Sequence, residues 1–364
     1  MNANAAPLPK RKILHLVEAF GGGVYFFLRD LLNRPELEQF DFEIFYGVRC
    51  KLDEHQLKND FPKAKLVYWP HVQREIRPYL DIKALCGAYR MIQDSNPDVI
   101  HCHSSKAGVL GRASAVLAGK RNSIVYSPHG LSFLKLDDPQ WKRSFYKYIE
   151  RVFAKMAGIV VGCSPSEVQM LNENKIPAKL IQNGVLYPAL PVERKFDHPI
   201  RIVTVGRINV QKNPSLFNEI AEAMPELEFL WVGDGDLRDS LTAKNIRITG
   251  WRPREEISRI LKDAHLYLST SLWEGLPLSV LEGMANGLPL LLKDCVGNVD
   301  LVKKGNGYLF REKDEAILKL KEMVSNPSSL EYKGKVSQQV LRESFSIEEM
   351  ARSYRKLYSE MVAR

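Results

Sequence analysis

The stretch HLYLSTSLWEGLPLSVLE, residues 265–282, decides the fold of this chain. Its first four residues, His265 to Leu268, form an apolar run of strand length, as a parallel strand buried on both faces requires. Gly275 and Pro277 then turn the chain into a helix, whose first turn tolerates proline. Glu274 therefore falls in a loop at the carboxyl end of a strand, and Glu282 on the following helix. Open parallel α/β sheets bind ligands at that edge. A carboxylate only accepts hydrogen bonds and can take two from neighbouring hydroxyls. The pair suits a polyhydroxylated ligand held at two points, such as a ribose and a second sugar. A capping acid followed by an exposed helix acid is the other reading of the same residues.

The alternation extends along the whole chain. Strand-like runs fall at 13–17, 42–46, 65–69, 99–102, 124–126 and 159–161, then at 202–205, 228–232, 246–248, 265–268, 288–292 and 307–310, with amphipathic helical stretches between them. Such strands predict parallel sheets covered on both faces, hence an α/β fold. The character changes over 186–199, where Pro188, Pro191 and Pro199 mark a linker. The expected organisation is two doubly wound, Rossmann-like domains facing each other, 1–187 and 188–345. Each opens with a strand running into glycine, Gly21-Gly22-Gly23 in one and Gly206 in the other. The tail, 347–364, is patterned as a helix with Met350, Tyr354, Leu357 and Met361 on one side.

Composition narrows the class. The 364 residues are 45% hydrophobic and 26% charged, ordinary for a soluble globular protein. No apolar run approaches the roughly 20 residues of a membrane-spanning helix, and residues 1–11 lack the apolar core of a signal peptide. Five scattered cysteines without Cys-x-x-Cys spacing fit free thiols in a reducing cytoplasm. The net charge of +9 is uneven: residues 1–190 hold 26 Lys and Arg against 18 Asp and Glu, and the rest hold 26 against 25. A basic first half could meet an anionic membrane surface, a phosphorylated acceptor or nucleic acid, or simply aid solubility.

Several motifs gather at the ends of the expected strands. Gly21-Gly22-Gly23 precedes a helix whose N-terminus favours anions, but it is neither Gly-x-Gly-x-x-Gly nor a Walker loop. Arg207 and Lys212 would hang over the sheet edge, a guanidinium fork and an ammonium able to neutralise a pyrophosphate without a metal. Asp234-Gly235-Asp236 contains Asp-x-Asp, which reads better as a turn capping the next helix than as a metal site. In His101-Cys102-His103 both imidazoles share one strand face; a metal would need a third ligand, and none is evident nearby. His103 is expected to line a cleft and His101 to pack, with Ser104, Ser105 and Lys106 at the same edge facing an acceptor. His129, before Gly130, is a candidate contact for a sugar hydroxyl. Residues 141–155 form a basic amphipathic helix, read as a core helix with a solvated basic stripe or as a membrane-surface helix.

Together these stretches resemble the retaining glycosyltransferases of family four, which have the two-domain GT-B fold. The match is carried by Gly206-Arg207 through Lys212, Val232-Gly233-Asp234-Gly235, Gly250-Trp251, and Glu274 to Glu282 followed by Gly283-Met284-Ala285-Asn286-Gly287-Leu288-Pro289. The family usually has Glu-Ala-Met-Ala where this chain has Glu-Gly-Met-Ala. That helical glycine is expected to cost about 1 kcal/mol against alanine. The resemblance implies that Arg207 and Lys212 hold the donor pyrophosphate and that Glu282 binds the nucleotide ribose. It implies that Glu274 sits beside the transferred sugar, with Gly275, Leu276, Pro277 and Leu278 nearby. Trp251 and Arg252 match the segment along the base, Gly22 and Gly23 the loop near the phosphates, and His129 the cleft histidine. It also implies that residues 346–364 return to pack on the first domain.

His103-Ser104-Ser105-Lys106-Ala107-Gly108 and Pro128-His129-Gly130 resemble bacterial enzymes that build O-antigens and capsules. The implied activity is retaining transfer of a hexose or N-acetylhexosamine from a nucleotide-sugar, expected to be a UDP-sugar, to a lipid-linked saccharide. Glu274, His129, Arg207 and Lys212 would be its catalytic groups. No metal, cofactor or nucleic acid is expected, and the place of action would be the cytoplasm or the inner membrane face. A glycoside hydrolase, a nucleotide-sugar epimerase and a non-catalytic basic-surface binder are the alternatives.

Overall fold

The computed structural model describes residues 10–48, 53–73, 75–187 and 199–363. The first sheet contains β1 (Arg11–Val17), β2 (Phe40–Tyr46), β3 (Ala64–Tyr68), β4 (Val99–His103), β5 (Ile124–Ser127), β6 (Ile159–Gly162) and β7 (Ala178–Leu180). Their order is β3-β2-β1-β4-β5-β6-β7, and every pairing is parallel. The second sheet contains β8 (Arg201–Val205), β9 (Glu228–Val232), β10 (Ile246–Ile248), β11 (Leu266–Ser269), β12 (Leu290–Lys293) and β13 (Gly307–Phe310). It is also parallel, in the order β10-β9-β8-β11-β12-β13.

Both sheets are buried on both faces, which is why their strands read as continuous apolar runs. In β1, Ile13 and Val17 belong to one core cluster, while Leu14 and Leu16 belong to the cluster on the opposite face. The same split separates Ile202 from Val203 and Val205 in β8. All twelve expected strands are present. The additional β7 is a three-residue edge strand, mostly exposed, and its Ala-Lys-Leu carries no strand signal.

Strand order reverses between β1 and β4 in one sheet and between β8 and β11 in the other. The carboxyl ends of these four strands are therefore the natural ligand edges. They carry the Gly21–Gly23 turn, His103, Gly206-Arg207 and the Glu274 loop.

The helix Ile347–Val362 packs into the core of the first sheet, burying Met350, Tyr354, Leu357, Tyr358 and Met361 with Ile13, Phe27 and Phe42. Its start lies beside the other crossing between the two sheets. Val185 donates to the Phe345 carbonyl at 3.1 Å, and a side chain at Gly184 would lie 2.3 Å from the Ser346 oxygen. Of the expected linker, residues 188–198 lie outside the described residues.

The basic helix differs from its expected packing. In Gln140–Met156 the one fully buried residue is Glu150, ion-paired with buried Arg112 at 2.7 Å. Lys142 pairs with Asp138, while Arg143 and Arg151 donate to the Phe133 and Asn174 carbonyls. The outward stripe is instead aromatic: Trp141, Phe145 and Tyr148 are all exposed. Of the expected apolar side, Ile149, Val152 and Phe153 are half-buried, and the Phe153 ring lies 4.8 Å from the buried Arg112 guanidinium.

Candidate active site

Glu274 is held rigidly where β11 leads into the helix Leu278–Ala285. Its amide donates to the Val296 carbonyl at 3.1 Å, and a side chain at Gly297 would lie 2.9 Å from its Cβ. The buried carboxylate meets the Lys212 ammonium at 2.7 Å and the Gln211 amide at 3.3 Å. Gln211 also donates to the Trp273 carbonyl at 2.9 Å. Lys212 ends a short 3-10 turn, Val210–Lys212, capped by the Asn209 side chain. Burial alone would lower its pKa, but the Glu274 carboxylate more than offsets this and holds it above the ordinary lysine value. The cation and the acid, predicted from separate motifs, thus form one pair. Arg207, two residues beyond β8, is exposed. Gln211 escaped the sequence reading because a glutamine between two loop residues has no spacing signature.

Glu282, half-buried on the helix Leu278–Ala285, accepts from Arg254 at 2.9 Å. Arg254 also reaches Asp30, on the helix Gly22–Leu32 of the first sheet, at 2.7 Å. Its guanidinium therefore bridges two acids across the crevice. Burial pushes the Glu282 carboxyl up, opposed by the Arg254 charge. Arg252, which the resemblance sets along the base, donates to the Thr249 carbonyl at 3.0 Å and to Glu256 at 3.4 Å. Arg254 is the cation that meets the acid, because it opens the helix Arg254–Asp263. Trp251 is 61% exposed, open to a flat ligand.

The first sheet brings His129 to the same crevice. Residue 130 abuts residue 275: a side chain at Gly275 would lie 2.8 Å from the Gly130 nitrogen. Gly130 donates to the buried Glu167 carboxylate at 2.9 Å, which also accepts from the Cys163 amide at 2.7 Å. Asn183 donates to the Leu276 carbonyl at 3.2 Å. Ser166 ties to Asp300 and accepts from the Gly297 amide at 2.8 Å. His129 has φ +52° and packs edge-on against Phe27, with ring centroids 4.8 Å apart. Burial pushes its imidazole down to about 4, so it is neutral near pH 7.

Behind His129 the structure corrects two expectations. His103 does not line the cleft. It is fully buried, with Nδ1 2.9 Å from Nε2 of His129 and Nε2 2.9 Å from Nδ1 of His15. A third imidazole also stands near His101 and His103: His15 faces His101 in the β1–β4 register, and the three rings offer nitrogens within 4.8 Å of one another. Sequence could not supply it, since which strands pair is a tertiary outcome. Both His101 nitrogens are engaged, at 2.7 Å to the Tyr358 hydroxyl and 2.9 Å to Ser127. His101 packs as expected.

Lys106 is already partnered: its ammonium pairs with Asp81 at 2.6 Å and donates to the Glu75 carbonyl at 2.7 Å. Ser104 begins its helix at φ +68° and is half-buried. Side chains added at Gly22 or Gly23 would meet nothing within 4 Å, so this helix N-terminus borders open space. Asp234 accepts from the Gly235 amide and pairs with Arg238 at 2.8 Å, acting as the expected turn.

Residues 22–185 match the family described as "Glycosyltransferase Family 4", and residues 199–326 match "Glycosyl transferases group 1". The chain is 30% identical over 358 residues to an Escherichia coli UDP-Gal:alpha-D-GlcNAc-diphosphoundecaprenol alpha-1,3-galactosyltransferase, covering 89% of this chain and 90% of that one. Among solved structures it resembles sucrose-phosphate synthase from Thermosynechococcus elongatus, with a TM-score of 0.79 at 16% identity, covering 97% and 100% of the two chains. It also resembles Anabaena HepE in complex with UDP and glucose, with a TM-score of 0.73 at 18% identity, covering 96% and 99%. Two parallel sheets meeting at their switch-point edges, and likeness along nearly the whole chain, lead to one conclusion: this chain belongs to glycosyltransferase family four and is a glycosyltransferase of the GT-B fold.

Proposed function

We propose that the protein transfers a hexose or N-acetylhexosamine from a UDP-sugar, with retention and without a metal, to a lipid-linked saccharide in bacterial surface polysaccharide assembly. The observation that carries this reading is the Lys212–Glu274 pair beside exposed Arg207 at one sheet edge, facing His129 on the other. Charge develops on the departing diphosphate, where preorganised cations stabilise it. Arg207 and Lys212 take that role, helped by the amides opening the helix Leu278–Ala285. Glu274 and His129 hold the sugar, Glu282 the ribose, and Trp251 lies along the base. A phosphate oxygen receives the acceptor proton on the face the leaving group vacates. The E. coli relative's name specifies UDP-Gal and a diphosphoundecaprenol-linked GlcNAc, which supports the donor and acceptor classes.

Acceptors on a lipid carrier lie at a membrane. Among the described residues no helix is long and apolar enough to cross one. The exposed stripe Trp141, Phe145 and Tyr148, with Lys147 and Lys155 on the same helix, fits the interface of an anionic bilayer instead.

The test is transfer from UDP-sugars by Arg207→Ala and Lys212→Ala, assayed with EDTA present. We expect roughly 100-fold losses or more, as for other groups that stabilise leaving charge. Near-normal turnover of the variants would reject the phosphate roles, and loss of the parent's activity in EDTA, restored by excess Mn²⁺, would reject metal independence.

A further inference from the structure

The three imidazoles His15, His103 and His129 form a chain in which each hydrogen bond needs one proton. His15 Nδ1 meets His103 Nε2 at 2.9 Å, and His103 Nδ1 meets His129 Nε2 at 2.9 Å. Burial pushes all three rings well down, His15 to about 3, so each is neutral and carries a single N–H. A neutral imidazole donates through one nitrogen and accepts through the other. The chain therefore has only two arrangements, with every N–H pointing towards His129 or every one pointing towards His15.

The far end decides between them. His15 is fully buried, and its Nε2 finds no partner among the described residues. If the protons pointed inward, that nitrogen would be a buried N–H donor with nothing to bond. If they point outward, it is an unprotonated acceptor. Buried orphan donors are rarer than under-satisfied acceptors. Hydroxyl partners on His101 impose no direction of their own, because Tyr358 and Ser127 can each donate or accept.

We infer that His15 and His103 are positioning residues for sugar transfer: their hydrogen-bonded chain fixes His129 as the Nδ1–H tautomer and makes it a hydrogen-bond donor, not a base, at the crevice. The tautomer stands on the hydrogen-bond geometry and on the burial that keeps the three rings neutral. Its consequence for transfer rests on the reading that His129 contacts the sugar. His129 is the partly exposed end of the chain, beside the Gly130–Gly275 contact where the two sheets meet. As a donor it complements Glu274, which can only accept. A sugar hydroxyl, being both donor and acceptor, can satisfy the two at once.

Long-range ¹H–¹⁵N correlation spectra of the wild-type protein read the tautomer directly, with the His129 signals identified by their loss in His129→Asn. The expected spectrum shows protonated Nδ1 and unprotonated Nε2. A wild-type His129 protonated at Nε2 overturns the inference, whatever the activity. His15→Phe removes the directing donor and should give His129 a mixture of tautomers. It should lower kcat roughly tenfold with donor KM unchanged, the mark of an interaction made in the transition state. His15→Asn, whose amide nitrogen can replace Nδ1, should restore both the tautomer and kcat. A folded His15→Phe with an unaltered His129 spectrum overturns the role of His15. An altered spectrum with unaltered transfer would instead count against the sugar-contact reading.

Discussion

The residues that matter most here act in pairs and chains. Glu274 and Lys212 lie 62 positions apart, yet the ion pair holds both in one geometry and keeps the ammonium charged. The buried histidines make the opposite choice and stay neutral. His15, His101, His103 and His129 are all held below the ordinary histidine value by burial, His129 to about 4. Unfolded, each titrates near about 6.5. Below that pH the unfolded chain binds protons that the folded protein refuses. This contribution is therefore complete above about pH 6.5 and erodes as the pH falls towards 4. Each such proton adds about 1.4 kcal/mol per pH unit to the slope. Glu167 and Glu282, raised by burial, act in the opposite sense but are two against four. Urea midpoints should fall steadily from about pH 7 to about pH 5, and a flat profile would contradict the neutral cluster. The sequence exposed His101, His103 and His129 as candidates, because they lie in or just after the carboxyl ends of apolar runs. It hid His15, which only strand pairing brings alongside them.

Among the elements, the helix Leu278–Ala285 shows how packing overrides propensity. By helix propensity alone, Gly283→Ala would stabilise by about 1 kcal/mol. In the folded protein a Cβ at Gly283 would lie 2.7 Å from the ring of buried Tyr267. That ring cannot easily retreat, since its hydroxyl accepts from the Val205 amide at 3.2 Å. Gly283→Ala should therefore lower the melting temperature, in line with overpacking costs of about 1–3 kcal/mol. A rise in melting temperature would show that the ring moves freely. The glycine lets this helix lie close against β11, and the same helix carries Glu282. Strands were legible throughout because two-sided burial writes a continuous apolar run. The short edge strand β7 was not, since an exposed edge demands no such pattern.

For the whole molecule, the helices of the first sheet leave an aromatic face uncovered. Tyr79 and Ile82 on the helix Pro78–Ser95 are exposed as well. The helix Ser104–Leu117 contacts both that helix and Gln140–Met156. If this face meets a bilayer, the triple substitution Trp141→Ala, Phe145→Ala and Tyr148→Ala should weaken co-sedimentation with phosphatidylglycerol vesicles roughly tenfold or more, given the apolar area withdrawn from the interface. Transfer to a soluble acceptor analogue should be unchanged. Equal sedimentation of the variant and the parent would remove this face from the docking surface.

The sequence by itself determined the two parallel sheets, the strand ends that carry the motifs, and the family. Apolar periodicity and local turn chemistry act over a few residues and survive in a linear reading. Which carboxylate meets which cation was decided only in three dimensions. Arg254 joins Glu282 to Asp30, 224 positions away, and Lys106 pairs with Asp81. His103 is buried behind His129 for the same reason. Partners of this kind are set by strand order and by the approach of two domains, and no short stretch of sequence encodes either.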